Sequence, residues 1–267
     1  MEGGQISWKM KYTEFNWNQK TALMISLFML TGLSCQAQPT KPPVNKVEIY
    51  YQQNKGNDQP SVISGSVDKG KLENAKLLPF SGTNFHYFDT ASYLAGRAFT
   101  SDKVLNAMLA TYKILETEVP GRAFCVMECS NEHGGKIYPH RTHQNGLSVD
   151  FMMPLVKKGM PYYELDSIGQ THYFLDFNNQ GQYKADTSIS IDFELAARHI
   201  LLLHEQAKKQ GLKVSKVIIK IELKDELFAG EYGKKLKASG IYIVQNLTPL
   251  INSVHDDHYH IDFDHRP

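Results

Sequence analysis

The chain has 267 residues, of which 42% are hydrophobic, 11% aromatic and 21% charged, the range of a soluble globular protein with one sizeable core and outside that of disordered or collagen-like chains. Lys and Arg number 29 against 28 Asp and Glu, so no global field draws the chain to nucleic acid or to an anionic membrane surface, and short runs such as Lys234, Lys235 and Lys237 read as a solvated face. The eleven histidines are spread unevenly, with three in residues 133–143 and four in residues 255–265; that clustering is the main pointer to function.

In chain order, Thr21 to Ser34 is an uncharged apolar run after Lys20, too short to span a bilayer comfortably and of the length of a signal-peptide core. It reads as an export signal, which puts the protein outside the cytoplasm, in the periplasm. Two schemes fit the segment after it: Cys35 as the lipid-modified first residue of an anchored lipoprotein, or cleavage after Ala37, with Cys35 and Ala37 as the small residues of the cleavage site. The polar, Pro-rich stretch from Gln36 to Asn45 reads as a linker. Residues 1–37 are thus a leader, and 38–267 a single domain with no membrane span. The leader holds three Lys and two Glu, so the remainder balances at 26 basic and 26 acidic residues.

Ser101 caps a helix expected from Asp102 to about Glu116, in which Val104, Leu105, Met108, Leu109, Tyr112 and Leu115 recur at helical spacing. Ala123 to Cys129 reads as a strand, followed by a loop rich in Gly and His up to Gly146. Two cysteines, Cys125 and Cys129, remain beyond the leader; in an extended strand their Cα atoms would lie about 13 Å apart, so free thiols are expected. From Leu147 to Met153 the residues alternate, with Val149 and Phe151 on the face that packs on the core and Asp150 on the other. An aromatic, turn-punctuated insertion follows over 155–190, read as a hairpin and a cleft wall.

A second helix is expected from Asp192 to about Gln210, stopped by Gly211, with His199 and His204 as packing or surface histidines. Strands are expected at Lys213 to Ile221, Ile241 to Val244 and Asp257 to Asp264. In the last of these His258, His260 and Asp262 share a face, opposite Tyr259, Ile261 and Phe263. Strands and helices without regular βαβ alternation give an α+β fold, a mainly antiparallel central sheet flanked by helices.

A catalytic zinc site takes about three protein ligands from His, Asp or Glu and leaves a position for water. His143 stands at the entrance of the strand that carries Asp150, and His258-Tyr259-His260 puts two imidazoles on one face of the final strand. Gly134, Gly135 and Gly146 frame the first half with turns.

The segment Gly134-Gly135-Lys136-Ile137-Tyr138-Pro139-His140-Arg141-Thr142-His143-Gln144-Asn145-Gly146-Leu147-Ser148-Val149-Asp150 resembles the GG…HxxHQxGxxVD motif of the penicillin-insensitive murein endopeptidases. His255-Asp256-Asp257-His258-Tyr259-His260 is similar to their closing HxxHxH motif. The resemblance spans roughly Asn84 to Phe263, and it implies the fold shared by D-Ala-D-Ala carboxypeptidases, lysostaphin-like enzymes and the hedgehog group. It also implies one Zn²⁺ per chain, held by His143, Asp150 and His260. By the same resemblance His258 is the general base and transition-state stabiliser, with His255 a further catalytic histidine, while His140 and Gln144 match residues around the metal or the substrate.

Three departures stand out: Ser148 where an acidic residue is expected, Thr142 in place of Ser, and a Cys pair that does not reproduce the family's disulfides. The implied function is zinc-dependent hydrolysis of the peptide cross-links of peptidoglycan, at D-alanyl to diamino-acid bonds, with the stem peptides as substrate. A D-Ala-D-Ala-type carboxypeptidase and a zinc-holding cell-wall binding module without turnover are the alternatives.

Overall fold

The computed structural model describes residues 45–265. The apolar run, Cys35 and Ala37 lie outside the described residues, and within them no helix is long and apolar enough to cross a membrane.

Helix α1 (Lys46–Asn54) leads into the hairpin of β1 (Val62–Ser66) and β2 (Lys69–Glu73) and the short β3 (Lys76–Leu77). β4 (Phe85–Tyr87), α2 (Thr90–Leu94) and β5 (Phe99–Thr100) follow, with β5 pairing antiparallel to β3. Ser101 then caps α3 (Asp102–Glu118) by accepting from the Val104 amide at 3.3 Å, as the Ser at the head of an apolar-periodic run requires. β6 (Phe124–Val126) and β7 (Ser148–Met152) flank the histidine-rich loop.

The aromatic insertion is a hairpin of β8 (Leu155–Lys157) and β9 (Met160–Tyr162), two 3₁₀ turns over Glu164–Ser167 and Gly169–Phe174, and β10 (Ile189–Ile191), which returns to pair with β8. Asp192 caps α4 (Phe193–Lys209) at Leu195 N. β11 (Leu212–Ile218), α5 (Lys224–Ala229), α6 (Glu231–Ala238), α7 (Pro249–Ser253) and β12 (His258–His265) complete the order.

The central sheet runs β11-β12-β7-β6-β4, antiparallel throughout except for the β4–β6 pair. This is the mixed α+β architecture expected from the sequence. The expected strand at Ile241–Val244 does not form. That segment meets β11 through one parallel bridge, Val217 to Ile243, flanked by the bonds Val217 N to Tyr242 O and Val244 N to Val217 O. A single bridge leaves no ladder to propagate, so β11 is the sheet's edge.

One face of the sheet carries the core. Phe151 and Tyr259 stack at 5.6 Å, and the fully buried His199 of α4 sits among Phe151, Tyr112 and Phe124. Tyr259 Oη lies 2.7 Å from His199 Nδ1, and burial pushes His199 down to about 3. His199 is a neutral packing histidine. The other face, which carries Asp150, is covered as well: all five residues of β7 are buried, with His140 and His143 of the preceding loop against Asp150 and Asp262 of β12 against Ser148. Cys125 and Cys129 are buried free thiols.

Candidate metal centre

The pairing of β12 with β7 brings the two histidine-rich segments together, since His260 is the Cα partner of Asp150 and His258 of Met152. On β7's other side the chain beyond β6 continues the ladder irregularly: Met127 N donates to Asp150 O at 2.8 Å and Asp150 N to Glu128 O at 2.9 Å. Asp150 is therefore fixed by neighbours on both sides at the centre of the sheet.

His143 reaches the same point from the loop. Gly134 and Gly146 bracket it with φ of 68° and 74°. A Cβ on Gly134 would lie 2.3 Å from Gln144 O, and one on Gly146 2.9 Å from Ser101 N, so the loop packs too tightly there for any side chain. His143 itself adopts φ 66°, a left-handed conformation that costs a non-glycine residue about 1–3 kcal/mol and persists only where the surroundings impose it. The Ser130 hydroxyl donates to His143 O at 2.6 Å, and Gln144 N donates to Val67 O at 3.0 Å. Gln144 is buried and its side-chain amide donates to Arg141 O at 3.1 Å, within the loop that carries His143.

Three atoms then converge. His143 Nε2 lies 3.2 Å from Asp150 Oδ1 and 3.0 Å from His260 Nδ1, and His260 Nδ1 lies 2.7 Å from Asp150 Oδ1. The remaining ring nitrogens are committed. His143 Nδ1 faces the carbonyl of Cys129 at 2.5 Å, and His260 Nε2 faces Asp262 Oδ1 at 2.7 Å. A carbonyl and a carboxylate only accept, so each of these nitrogens carries the hydrogen and the other nitrogen of each ring turns inward. Two inward nitrogens 3.0 Å apart need a proton or a cation between them. Ligands about 2.0–2.2 Å from a tetrahedral ion stand roughly 3.3 Å apart, close to the separations here, and Asp150 Oδ2 is buried without a hydrogen-bond partner. The donor set of two imidazoles and one carboxylate fits zinc.

His140, His143 and Asp150 form a second, looser grouping able to hold a metal, their ligand atoms within 4.8 Å. His140 Nδ1 is 3.6 Å from Asp150 Oδ2, while its Nε2 contacts Glu128 Oε2 at 2.5 Å. Glu128 is buried and also accepts from Arg97 Nη2 at 2.7 Å and the Ser92 hydroxyl at 2.9 Å. Burial alone would raise its carboxyl, but the bonds from His140 and Arg97 prevail and hold it down at about 2.

His258 is buried, with Nδ1 2.5 Å from Asp257 Oδ1. Burial pushes this imidazole down and Asp257 outweighs it, leaving its pKa raised. The His255 ring lies 4.8 Å from that of His258, and its Nδ1 donates to Ile251 O at 2.6 Å. Burial first, then the neighbouring His258, brings His255 down to about 3, so it is neutral. Tyr173, from the insertion, stands edge-on to His258 at 5.3 Å with its hydroxyl buried and unpartnered.

Burial lowers His143, against the pull of Asp150. His260 goes the other way: burial opposes its charge, but Asp262 and Asp150 raise it to about 10. Without a metal its Nδ1 holds a proton, which a cation would displace.

The structure thus gathers His143, Asp150, His260, His140, His258 and His255 in one place. Sequence reasoning passed over Glu128, Asp257 and Asp262. Each had a signal: an acid inside an apolar strand, an acid next to His258, and an acid on the His258–His260 face.

No curated protein matches the chain. The family model described as penicillin-insensitive murein endopeptidase matches residues 63–265, and the chain belongs to that family of peptidases.

Proposed function

We propose that the protein is an exported zinc metallopeptidase that hydrolyses the peptide cross-links of peptidoglycan, between D-alanine and the diamino acid of a neighbouring stem peptide. The observation that carries this reading is the convergence of His143 Nε2, Asp150 Oδ1 and His260 Nδ1 within 3.2 Å of one another, on a chain of the murein endopeptidase family. These three residues hold the ion. Bound there, zinc supplies a Lewis acid that polarises the scissile carbonyl and makes water acidic enough to act at neutral pH.

The protein's own groups do the rest. Asp257 holds the Nδ1 hydrogen of His258, which leaves Nε2 as the basic nitrogen and stabilises the imidazolium when His258 takes a proton from water; returning that proton to the departing amine completes the hydrolysis. His255, neutral beside it, keeps a second charge away. His140, clamped by Glu128 and Arg97, presents Nδ1 on the Asp150 side of the site and orients that carboxylate. The domain over 38–267 acts in the periplasm, delivered by the leader and either released or anchored at Cys35.

Zinc analysis of purified variants tests the ligand set. His143→Ala, Asp150→Ala and His260→Ala each lose the equimolar zinc of the parent protein, whereas His140→Ala keeps it. Retention of full zinc by His260→Ala together with its loss in His140→Ala would replace the proposed set with the looser one.

A further inference from the structure

Asp262 is absent from every motif quoted above, yet it is a buried carboxylate with three partners beside the centre. It is 3% exposed. Its Oδ1 lies 2.7 Å from His260 Nε2 and accepts from the Ser148 hydroxyl at 2.6 Å; its Oδ2 lies 2.6 Å from Lys216 Nζ. The three partners come from three adjacent strands, and the register explains why. Asp262 is the Cα partner of Ser148 on β7 and of Lys216 on β11, and it follows His260 by two residues, on the same face of β12.

We propose that Asp262 is the positioning residue of the metal centre: it fixes the tautomer and ring orientation of His260, with Ser148 and Lys216 holding the carboxylate in place. This rests on the reading of His260 as a ligand through Nδ1. An imidazole has two nitrogens and one hydrogen when neutral, so a carboxylate that captures the hydrogen on Nε2 commits Nδ1 to the ion. The carboxylate also makes the ring a stronger donor, and loss of such a partner typically costs about 10–100-fold in metal affinity. Lys216 pairs with Oδ2 at 2.6 Å, and the Ser148 hydroxyl donates to Oδ1 from β7.

Because Ser148 and Asp262 are directly opposed and Ser148 Oγ already touches the carboxylate oxygen that His260 uses, a carboxylate on residue 148 has the same reach. The geometry therefore makes the two positions interchangeable.

The test is competition for zinc between the full chain and a chromophoric chelator, with the absorption of the cobalt-substituted protein as a second readout. Asp262→Ser is expected to weaken zinc binding about 10–100-fold and to change the cobalt spectrum. Asp262→Asn, which can still accept from Nε2 without the charge, falls between it and the parent. The exchange Ser148→Asp with Asp262→Ser restores affinity to within a few-fold of the parent. Zinc binding by Asp262→Ser as tight as the parent's, while His260→Ala loses it, would overturn the positioning role and leave the ligand assignment standing. Absence of zinc from the parent protein would overturn both. Should Asp262→Ser fail to fold, the exchanged variant decides: recovered affinity supports the role, and a folded variant with weak zinc binding refutes it.

Discussion

At the scale of single residues, the proposed function has His143, Asp150 and His260 hold a cation and His258 handle protons, and substitutions report the difference. Asp150→Ala removes the only carboxylate among the three converging atoms, so zinc and activity fall together, both near background. His258→Ala leaves His143, Asp150 and His260 in place; zinc content stays near the parent value while kcat drops by about 10² to 10⁴, the range of general acid–base catalysis. Parallel metal analysis and steady-state kinetics check both, and full kcat in His258→Ala would remove its role. Glu128→Gln breaks a buried ion pair whose partner Arg97 keeps one-fifth of its side chain exposed, so the loss lies near the low end of the usual range for such pairs, about 3 kcal/mol, measurable by urea unfolding.

Much of this was readable beforehand. His143, Asp150, His258 and His260 are named by a motif of fixed spacing, but their carboxylate supports are not, because Glu128, Asp257 and Asp262 acquire meaning only through register and loop path. Ser148 reads in the sequence as a missing acid. In the fold the carboxylate stands directly across the ladder, on Asp262.

At the scale of elements, the long ones follow from periodicity and caps: α3 and α4, capped by Ser101 and Asp192, span Asp102–Glu118 and Phe193–Lys209, within two residues of the expected bounds. The short ones follow less closely. β6 stops at Val126, three residues before the expected end at Cys129, because the backbone beyond it must turn to meet both Asp150 and Arg97, the latter through Cys129 N to Arg97 O. The alternation of β7 identified the core face, but a pattern of period two cannot tell a solvent face from one roofed by a neighbouring loop.

That roof is sensitive to its glycines. Gly134→Ala puts a methyl group against Gln144 O in a left-handed conformation, and a loss of about 1–3 kcal/mol is expected. A lowered Tm together with weakened zinc binding would show that the loop carries His143 into place; a lowered Tm with unchanged zinc binding would separate the two.

The insertion holds a pH-dependent element. Burial raises Asp166 to about 7, with Arg122 pulling the other way. The folded protein therefore keeps a proton there that the unfolded chain releases near pH 4, and this contribution to stability is present below about pH 4 and lost as the pH rises to about 7. Asp166→Asn removes that slope. Its Tm relative to the parent is expected to be higher at pH 8 than at pH 4.5, by the equivalent of a few kcal/mol at about 1.4 kcal/mol per pKa unit; an equal difference at both values would contradict the assignment.

At the scale of the whole molecule, the candidate site is built from two segments more than a hundred residues apart, one a glycine-framed loop and the other β12. The β7–β12 ladder joins them and leaves the aromatic core on the opposite face, so the sheet is at once the core's scaffold and the floor of the site. The balanced charge of residues 38–267 offers no electrostatic footprint of its own, which is why the histidine clusters, and not composition, point to function.

The central claim is cleavage of a particular bond by a zinc-dependent site. Its most direct test is mass spectrometry of purified cross-linked muropeptide dimers incubated with zinc-loaded protein spanning residues 38–267, beside a chelator-treated control. Conversion of dimers to monomers, with one water added at the bond between D-alanine and the diamino acid and none in the chelated control, is the predicted result. Dimers left intact by protein carrying equimolar zinc would contradict the account.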